Sequence, residues 1–196
     1  MQILKVRKDN LSTAISKVVS VLKQGKVIAC PTDTVYGLVA DATSAKAVQK
    51  VFAIKGRPNS KALPVFVKDT KMARRLARVS EKQEAFLEKA WPGKVTAVLE
   101  SRGGLPKGLE QEGTIALRIP NYALIHSILQ KLGRPLTGTS ANISGESVCL
   151  DSRAVLAQFR GRKVQPDMLL DAGRLPTSKP SLIIDITGKD YTILRS

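Results

Sequence analysis

The sequence predicts an α/β fold, with a mixed sheet flanked by helices. Apolar runs of strand length alternate with segments of helical apolar spacing through the early part of the chain. Strand-like runs then cluster towards the end, and glycine or proline marks many of the joints.

Leu11, Ile15, Val18, Val19 and Leu22 recur at helical spacing, with Asp9 or Asn10 as cap and Gly25 as stop. Lys26 to Cys30 is a short apolar run that reads as a buried strand, and a polar turn from Pro31 to Gly37 follows. Ser44 caps a second helix carrying Ala47, Val48, Val51 and Phe52. That helix stops around Lys55-Gly56, because Arg57 precedes Pro58 and a residue before proline avoids helical geometry. Leu63 to Val67 reads as a strand. Two helices come next, the second opened by a Ser80/Gln83 capping box and ended by Trp91-Pro92-Gly93. Lys94 to Leu99 alternates as a strand, residues 101–113 form a glycine-rich loop, and Thr114 to Ile119 is a strand closed by Pro120. Tyr122 to Leu132 is helical and ends at Gly133. A second polar turn covers Thr139 to Gly145, and Ala154 to Phe159 is a short helix. Met168 to Leu170, Leu182 to Ile186 and Tyr191 to Leu194 are late strands. No repeat or linker-like composition shift divides residues 1–196, so one domain is expected at a length typical of about 100–200 residues per domain.

Hydrophobic residues make up 43% and charged residues 24%, a globular balance that excludes disorder for the bulk of the chain. Lys and Arg number 32 against 16 Asp and Glu, a net charge of +16. Folding does not need such an excess, since like charges repel in the compact state. It points to a polyanionic partner: nucleic acid, nucleotide or anionic membrane. Two cysteines, Cys30 and Cys149, exclude a disulfide framework and a four-cysteine zinc site, and suit a reducing cytoplasm. The first residues lack a signal-peptide apolar stretch, and no run approaches the roughly 18 apolar residues of a membrane span. The single histidine, His126, lies in an apolar helical stretch and reads as packing or surface.

No Walker phosphate loop, dinucleotide glycine fingerprint, H-E-x-x-H or paired C-x-x-C occurs. Chemistry must therefore come from the polar turns. Pro31-Thr32-Asp33-Thr34-Val35-Tyr36-Gly37-Leu38 offers hydroxyls directly after a strand, where α/β sheets place ligands, although an ordinary Ser/Thr turn reads the same way. Lys55-Gly56-Arg57-Pro58-Asn59-Ser60-Lys61 gathers cations that can clamp a phosphate chain, or that simply satisfy a helix C-terminus. In Thr139-Ser140-Ala141-Asn142-Ile143-Ser144-Gly145, Ser140 and Asn142 share a side if the backbone is extended. Arg118, inside an apolar strand, must find an acid such as Asp185 or bind a ligand carboxylate, because an unpaired buried charge costs several kcal/mol. Lys71, Arg74, Arg75 and Arg78 share a helix face, which is either solvated or RNA-contacting.

P-T-D-T-V-Y-G-L at 31–38, K-x-R-P at 55–58 and S-x-N at 140–142 with a following Ser144-Gly145 together resemble the YrdC-like threonylcarbamoyl-AMP synthases, the TsaC type. The resemblance runs from about Leu11 to Arg195, and the order and spacing of the motifs make it specific where each alone is weak. It implies an open twisted mixed sheet flanked by helices, with a concave, positively charged surface. It implies synthesis of threonylcarbamoyl-AMP and pyrophosphate from L-threonine, bicarbonate and ATP, with Mg²⁺ carried on the ATP phosphates. A separate threonylcarbamoyl transferase complex then modifies an adenosine of tRNA. By the same resemblance, Lys55 and Arg57 are the catalytic residues, and Lys55, Arg57, Lys61, Thr114, Ser140, Asn142 and Arg195 bind ATP. Thr32, Thr34, Tyr36, Arg118, Thr139 and Ser181 hold threonine, with Arg118 on its carboxylate.

The chain departs from the family pattern at Ala62-Leu63, at Phe66, where some relatives carry a histidine, and at Leu182, where Ser-Thr pairs are common. Longer relatives have a further C-terminal domain, so this chain is expected to be the single-domain, cytoplasmic form. The rival reading is an RNA-binding factor of the same fold that acts on double-stranded RNA or rRNA in maturation. General RNA binding needs charge but not this spacing of K-x-R-P and S-x-N.

Overall fold

The computed structural model describes residues 1–7, 9–57 and 61–195. Strand β1 (Gln2–Lys5) leads through helix α1 (Leu11–Lys23) to β2 (Ile28–Cys30) and β3 (Gly37–Val39). Helix α2 (Ala45–Lys55), β4 (Val65–Phe66), α3 (Thr70–Leu76) and α4 (Glu81–Ala90) follow. Next come β5 (Val95–Glu100), β6 (Glu110–Gln111), β7 (Thr114–Arg118) and α5 (Ala123–Leu132). The chain continues through β8 (Leu136–Thr137), β9 (Thr139–Ser140), α6 (Ser152–Phe159), β10 (Met168–Asp171), β11 (Leu182–Asp185) and β12 (Thr192–Arg195).

The strands form two sheets rather than the one expected. The first runs β1-β10-β2-β3-β9; the second runs β12-β11-β5-β7-β4-β8, with β6 also paired to β7. Both mix parallel and antiparallel pairs. One extended segment, Leu136 to Ser140, belongs to both: β8 pairs with β4, and β9 pairs with β3. Gly138 lies between them, and a Cβ there would meet the Phe66 ring at 2.4 Å. Only glycine lets the backbone pass that ring. Alternation along a sequence identifies strands but not their partners, so this division was not legible.

The inner strands of the first sheet, β2, β3 and β10, are buried on both faces, as their near-continuous apolar sequences require. Ile28, Cys30, Met168 and Leu170 pack under α1 and α5, while Val27, Ala29, Leu38 and Leu169 face the larger core shared with α2, α3, α4 and α6. The second sheet buries one face in that larger core, through Ala97, Leu99, Ile115, Leu117 and Ile184. Its other face is the wall of a cleft.

Caps follow the sequence closely. Ser44 Oγ accepts from Ala47 N at 3.3 Å, and Ser80 with Gln83 forms the reciprocal capping box. Asn10 stands at the start of α1, but its side chain accepts from Arg7 N and donates to Lys5 O instead of capping the helix. Five strands were not anticipated: β3, β8 and β9 are two- or three-residue pieces at the edges of the polar turns, and the other two are β1 and β6. Strand β1 is a mostly exposed edge without an apolar run. Strand β6 makes a hairpin with β7 through Glu112 (φ 50°) and Gly113 (φ 75°), inside the stretch read as loop. The expected strand at 63–67 shortens to Val65–Phe66, and Leu63 N donates to Gly108 O. No helix among the described residues is long and apolar enough to cross a membrane.

Candidate active site

A cleft of about 990 Å³ opens between the carboxyl end of β2 and the free face of the second sheet. Period-two alternation builds its wall: Thr114, Ala116 and Arg118 of β7 face the cleft while Ile115 and Leu117 face the core. Val98, Ile183 and Asp185 extend the wall along β5 and β11. A β-bulge shifts the register of β12 at Leu194, so Leu194 and Arg195 both line the cleft.

Every site residue expected from the sequence lines this cleft except Tyr36. Tyr36 is fully buried; its hydroxyl donates to Gly173 O at 2.8 Å and accepts from Ala172 N at 3.1 Å. Alternation along β3 aims Gly37 at the cleft and turns Tyr36 into the core. The expected place for Tyr36 in the threonine pocket is corrected accordingly. Burial pushes its phenol up to about 12. Tyr36→Phe should lower stability by about 1–2 kcal/mol, the cost of the unpaired Ala172 and Gly173 groups, and leave amino-acid use unchanged. Thermal melts beside substrate kinetics check this.

Lys55, the last residue of α2, is 3% exposed. Its ammonium donates to Ser140 O (2.8 Å), Asn142 O (2.9 Å) and Asn142 Oδ1 (3.2 Å). Asn142 Oδ1 also accepts from Ser140 Oγ at 2.5 Å, and Asn142 Nδ2 donates to Glu146 O at 2.6 Å. The ammonium therefore holds the S-x-N turn in shape and spends its three hydrogens there. Burial and, after it, the Arg57 cation lower the Lys55 pKa to about 8. Arg57 donates from Nη2 to Ala62 O at 3.3 Å, and its Nε is buried with no partner among the described residues. Burial, and then the Arg195 cation, depress the Arg57 pKa as well. Cations crowded around a buried guanidinium donor in this way suit an anionic ligand. Lys61 lines the same wall; Pro58, Asn59 and Ser60 of that turn lie outside the described residues.

Arg118 is 2% exposed. Its Nε donates to Gly93 O at 2.8 Å, and its Nη2 donates to both oxygens of Asp33 at 2.7 Å. The acid is thus Asp33, not Asp185, which instead accepts from Thr187. Asp33 was missed because its partner lies 85 residues away, beyond any local pattern. Burial lowers the Arg118 pKa, and Asp33 opposes that shift. Phe66 lies beneath the guanidinium, whose carbon sits 5.8 Å from the ring centroid. Thr32 and Thr34 hydroxyls meet at 3.1 Å, and Thr139 is buried beside the cleft. Ser181 Oγ meets Thr96 Oγ1 at 3.0 Å, and Ser181 O accepts from Arg195 Nη2 at 2.7 Å. Thr114 Oγ1 donates to Gln111 O at 2.7 Å. Leu182 is partly buried against the larger core and is not part of the cleft wall. The sequence reading also missed the apolar wall of Val98, Ala116 and Ile183, for which the alternation around Arg118 was the available signal.

The arrangement offers one cationic end, at Lys55, Arg57, Lys61 and Arg195, and one hydroxyl-lined end with a guanidinium. It suits two ligands side by side, one polyanionic and one carrying a carboxylate.

A putative threonylcarbamoyl-AMP synthase from Methanocaldococcus jannaschii is 35% identical over 175 residues, covering 87% of this chain and 81% of that protein. The threonylcarbamoyl-AMP synthase of Pyrococcus abyssi is 31% identical over 179 residues, covering 89% of this chain and 51% of that protein. The crystal structure of P. abyssi Sua5 complexed with L-threonine superposes with a TM-score of 0.89 at 28% identity, covering 99% of this chain and 56% of that one. This chain thus spans about half the length of the Pyrococcus protein. The Sua5/yciO/yrdC family model, described as telomere recombination, matches residues 20–196. With that match and these likenesses, the chain belongs to the Sua5/YciO/YrdC family.

Proposed function

We propose that this chain is a cytoplasmic L-threonylcarbamoyladenylate synthase, which makes threonylcarbamoyl-AMP and pyrophosphate from L-threonine, bicarbonate and ATP. The observation that carries this reading is the cleft itself, where a cationic cluster and the S-x-N turn share one cavity with the buried Arg118 guanidinium and the hydroxyls of Thr32, Thr34, Thr139 and Ser181. Arg57, Lys61 and Arg195 take the triphosphate. Arg118 takes the threonine carboxylate, and Thr32, Thr34, Thr139 and Ser181 surround its other polar groups. Lys55 shapes the Ser140–Asn142 turn against the nucleotide and adds its charge. The threonine amine attacks the carbon of bicarbonate and water leaves, giving N-carboxythreonine. That carboxylate attacks the α-phosphorus as the bond to pyrophosphate breaks. Two anions must meet, so catalysis rests on charge neutralisation and positioning.

Among the described residues, no group of three or more His, Cys, Asp or Glu could hold a metal ion. Magnesium would come bound to the ATP phosphates and neutralise part of their charge. The product passes to a separate transferase complex that acts on tRNA. A role in binding double-stranded RNA has less support. Of the expected helix face, Arg74 pairs with Glu84, whereas Arg78 lies beyond the end of α3, after an extended Ala77, and stands 4.0 Å from Glu100.

The deciding measurement is pyrophosphate release from ATP and bicarbonate with threonine, with serine and with no amino acid. Threonine-dependent release is expected, and its absence would return the chain to the RNA-binding alternative. The pH dependence tests Lys55. Activity should fall as pH rises through about 8, because the neutral amine loses one donor to the turn. Stability should move the opposite way. The folded pKa lies below the unfolded value, so between about 8 and 10.5 the unfolded chain binds more protons and this group raises stability with pH. Activity and melting temperature measured over that window should diverge.

A further inference from the structure

We propose that Asp33 is a positioning residue for the amino-acid end of the cleft. It holds Arg118 so that one guanidinium nitrogen is left for the substrate carboxylate, and it ties the Thr32/Thr34 turn to the strand that carries Arg118. This rests on the synthase reading above.

Both oxygens of Asp33 lie 2.7 Å from the same nitrogen, Nη2, rather than forking across two. Gly93 O takes Nε. Nη1 is thus the nitrogen with no partner among the described residues, on a side chain that lines the cleft. Asp33 is itself fixed, since its Oδ2 also accepts from Asn121 N at 3.0 Å. The orientation of the guanidinium is over-determined, and a ligand carboxylate meets it end-on at a single position.

The same contact joins the two sheets. Asp33 lies in the turn between β2 and β3 of the first sheet, and Arg118 ends β7 of the second. Thr32 and Thr34 flank Asp33 and line the cleft, and Thr32 Oγ1 is locked by Val35 O (2.7 Å) and Thr34 N (3.1 Å). One carboxylate therefore sets the spacing between the hydroxyls and the guanidinium, the two halves of the amino-acid subsite. Stability alone does not account for the pair. Its side chains are 3% and 8% exposed, and apolar groups commonly replace such a desolvated pair without loss.

Asp33→Asn removes the charge and leaves one oxygen acceptor. The expected result is a KM for threonine at least tenfold higher, with the KM for ATP within twofold of wild type. Asp33→Glu, which keeps a carboxylate, should recover most of that rise. Asp33→Ser serves if the asparagine variant does not fold. An unchanged threonine KM overturns the proposal. So does a joint rise in both KM values, which marks a structural role, or a glutamate variant as poor as the asparagine one. A wild-type enzyme without threonine-dependent turnover overturns the synthase reading instead, so the two failures are distinguishable.

Discussion

Lys55→Met is expected to lower threonine-dependent pyrophosphate release about a thousandfold or more while the fold persists. The methionine matches the stem in length but cannot donate. Three acceptors, Ser140 O, Asn142 O and Asn142 Oδ1, lose their partner inside the protein. Charge-assisted hydrogen bonds contribute about 1.5–3 kcal/mol each, and a thousandfold loss corresponds to about 4 kcal/mol. Displacement of the turn that faces the nucleotide, together with loss of the ammonium charge beside it, accounts for an effect of this size. Stability should fall too, by about 2–4 kcal/mol, because these oxygens stay buried. Arg57→Ala is the informative companion. Among the described residues its side chain donates only to Ala62 O, at 3.3 Å, so activity should fall as far with little change in melting temperature. Wild-type-like turnover in both variants would refute the clamp.

Arg118→Ala should be the most damaging single change. It strands the Asp33 carboxylate in a site where its side chain is 8% exposed, and breaking a buried pair on one side costs about 3–5 kcal/mol. It also removes the group proposed to take the substrate carboxylate, so saturation with threonine should vanish. The double variant Arg118→Met with Asp33→Asn separates the two effects. Without an orphaned charge, most of the stability should return, while threonine use stays lost. Chemical denaturation and kinetics on wild type, Arg118→Met, Asp33→Asn and the double variant form the cycle that checks this.

What could be read in advance follows a physical divide. Helices and their caps were legible because the determinants are local: Ser80 and Gln83 lie three residues apart, and Ser44 caps its own first turn. The cleft membership of Lys55, Arg57, Ser140 and Asn142 was legible from motif order, and one cavity does gather them. What escaped was long-range. The partnership of Asp33 with Arg118, the split into two sheets at Gly138 and the bulge at Leu194 depend on which segments meet, and no local pattern records that. Tyr36 shows the complementary error. A residue within a ligand-binding motif was assigned to the pocket, yet period-two geometry turns its side chain the other way. The motif marks the backbone path, not the direction of every side chain.

The segment from Leu136 to Ser140, shared by both sheets, also constrains how the molecule comes into being. Cleft residues are drawn from Thr32 to Arg195, and the chain that joins the two sheets lies late in the sequence. During synthesis the first turn emerges long before the strands that complete its surroundings. Loop-closure entropy must be met before such distant contacts form, which slows assembly and leaves apolar strands transiently uncovered. Catalytic competence should therefore appear only at the last step of folding, as an all-or-none property, with no partly active intermediate along the way.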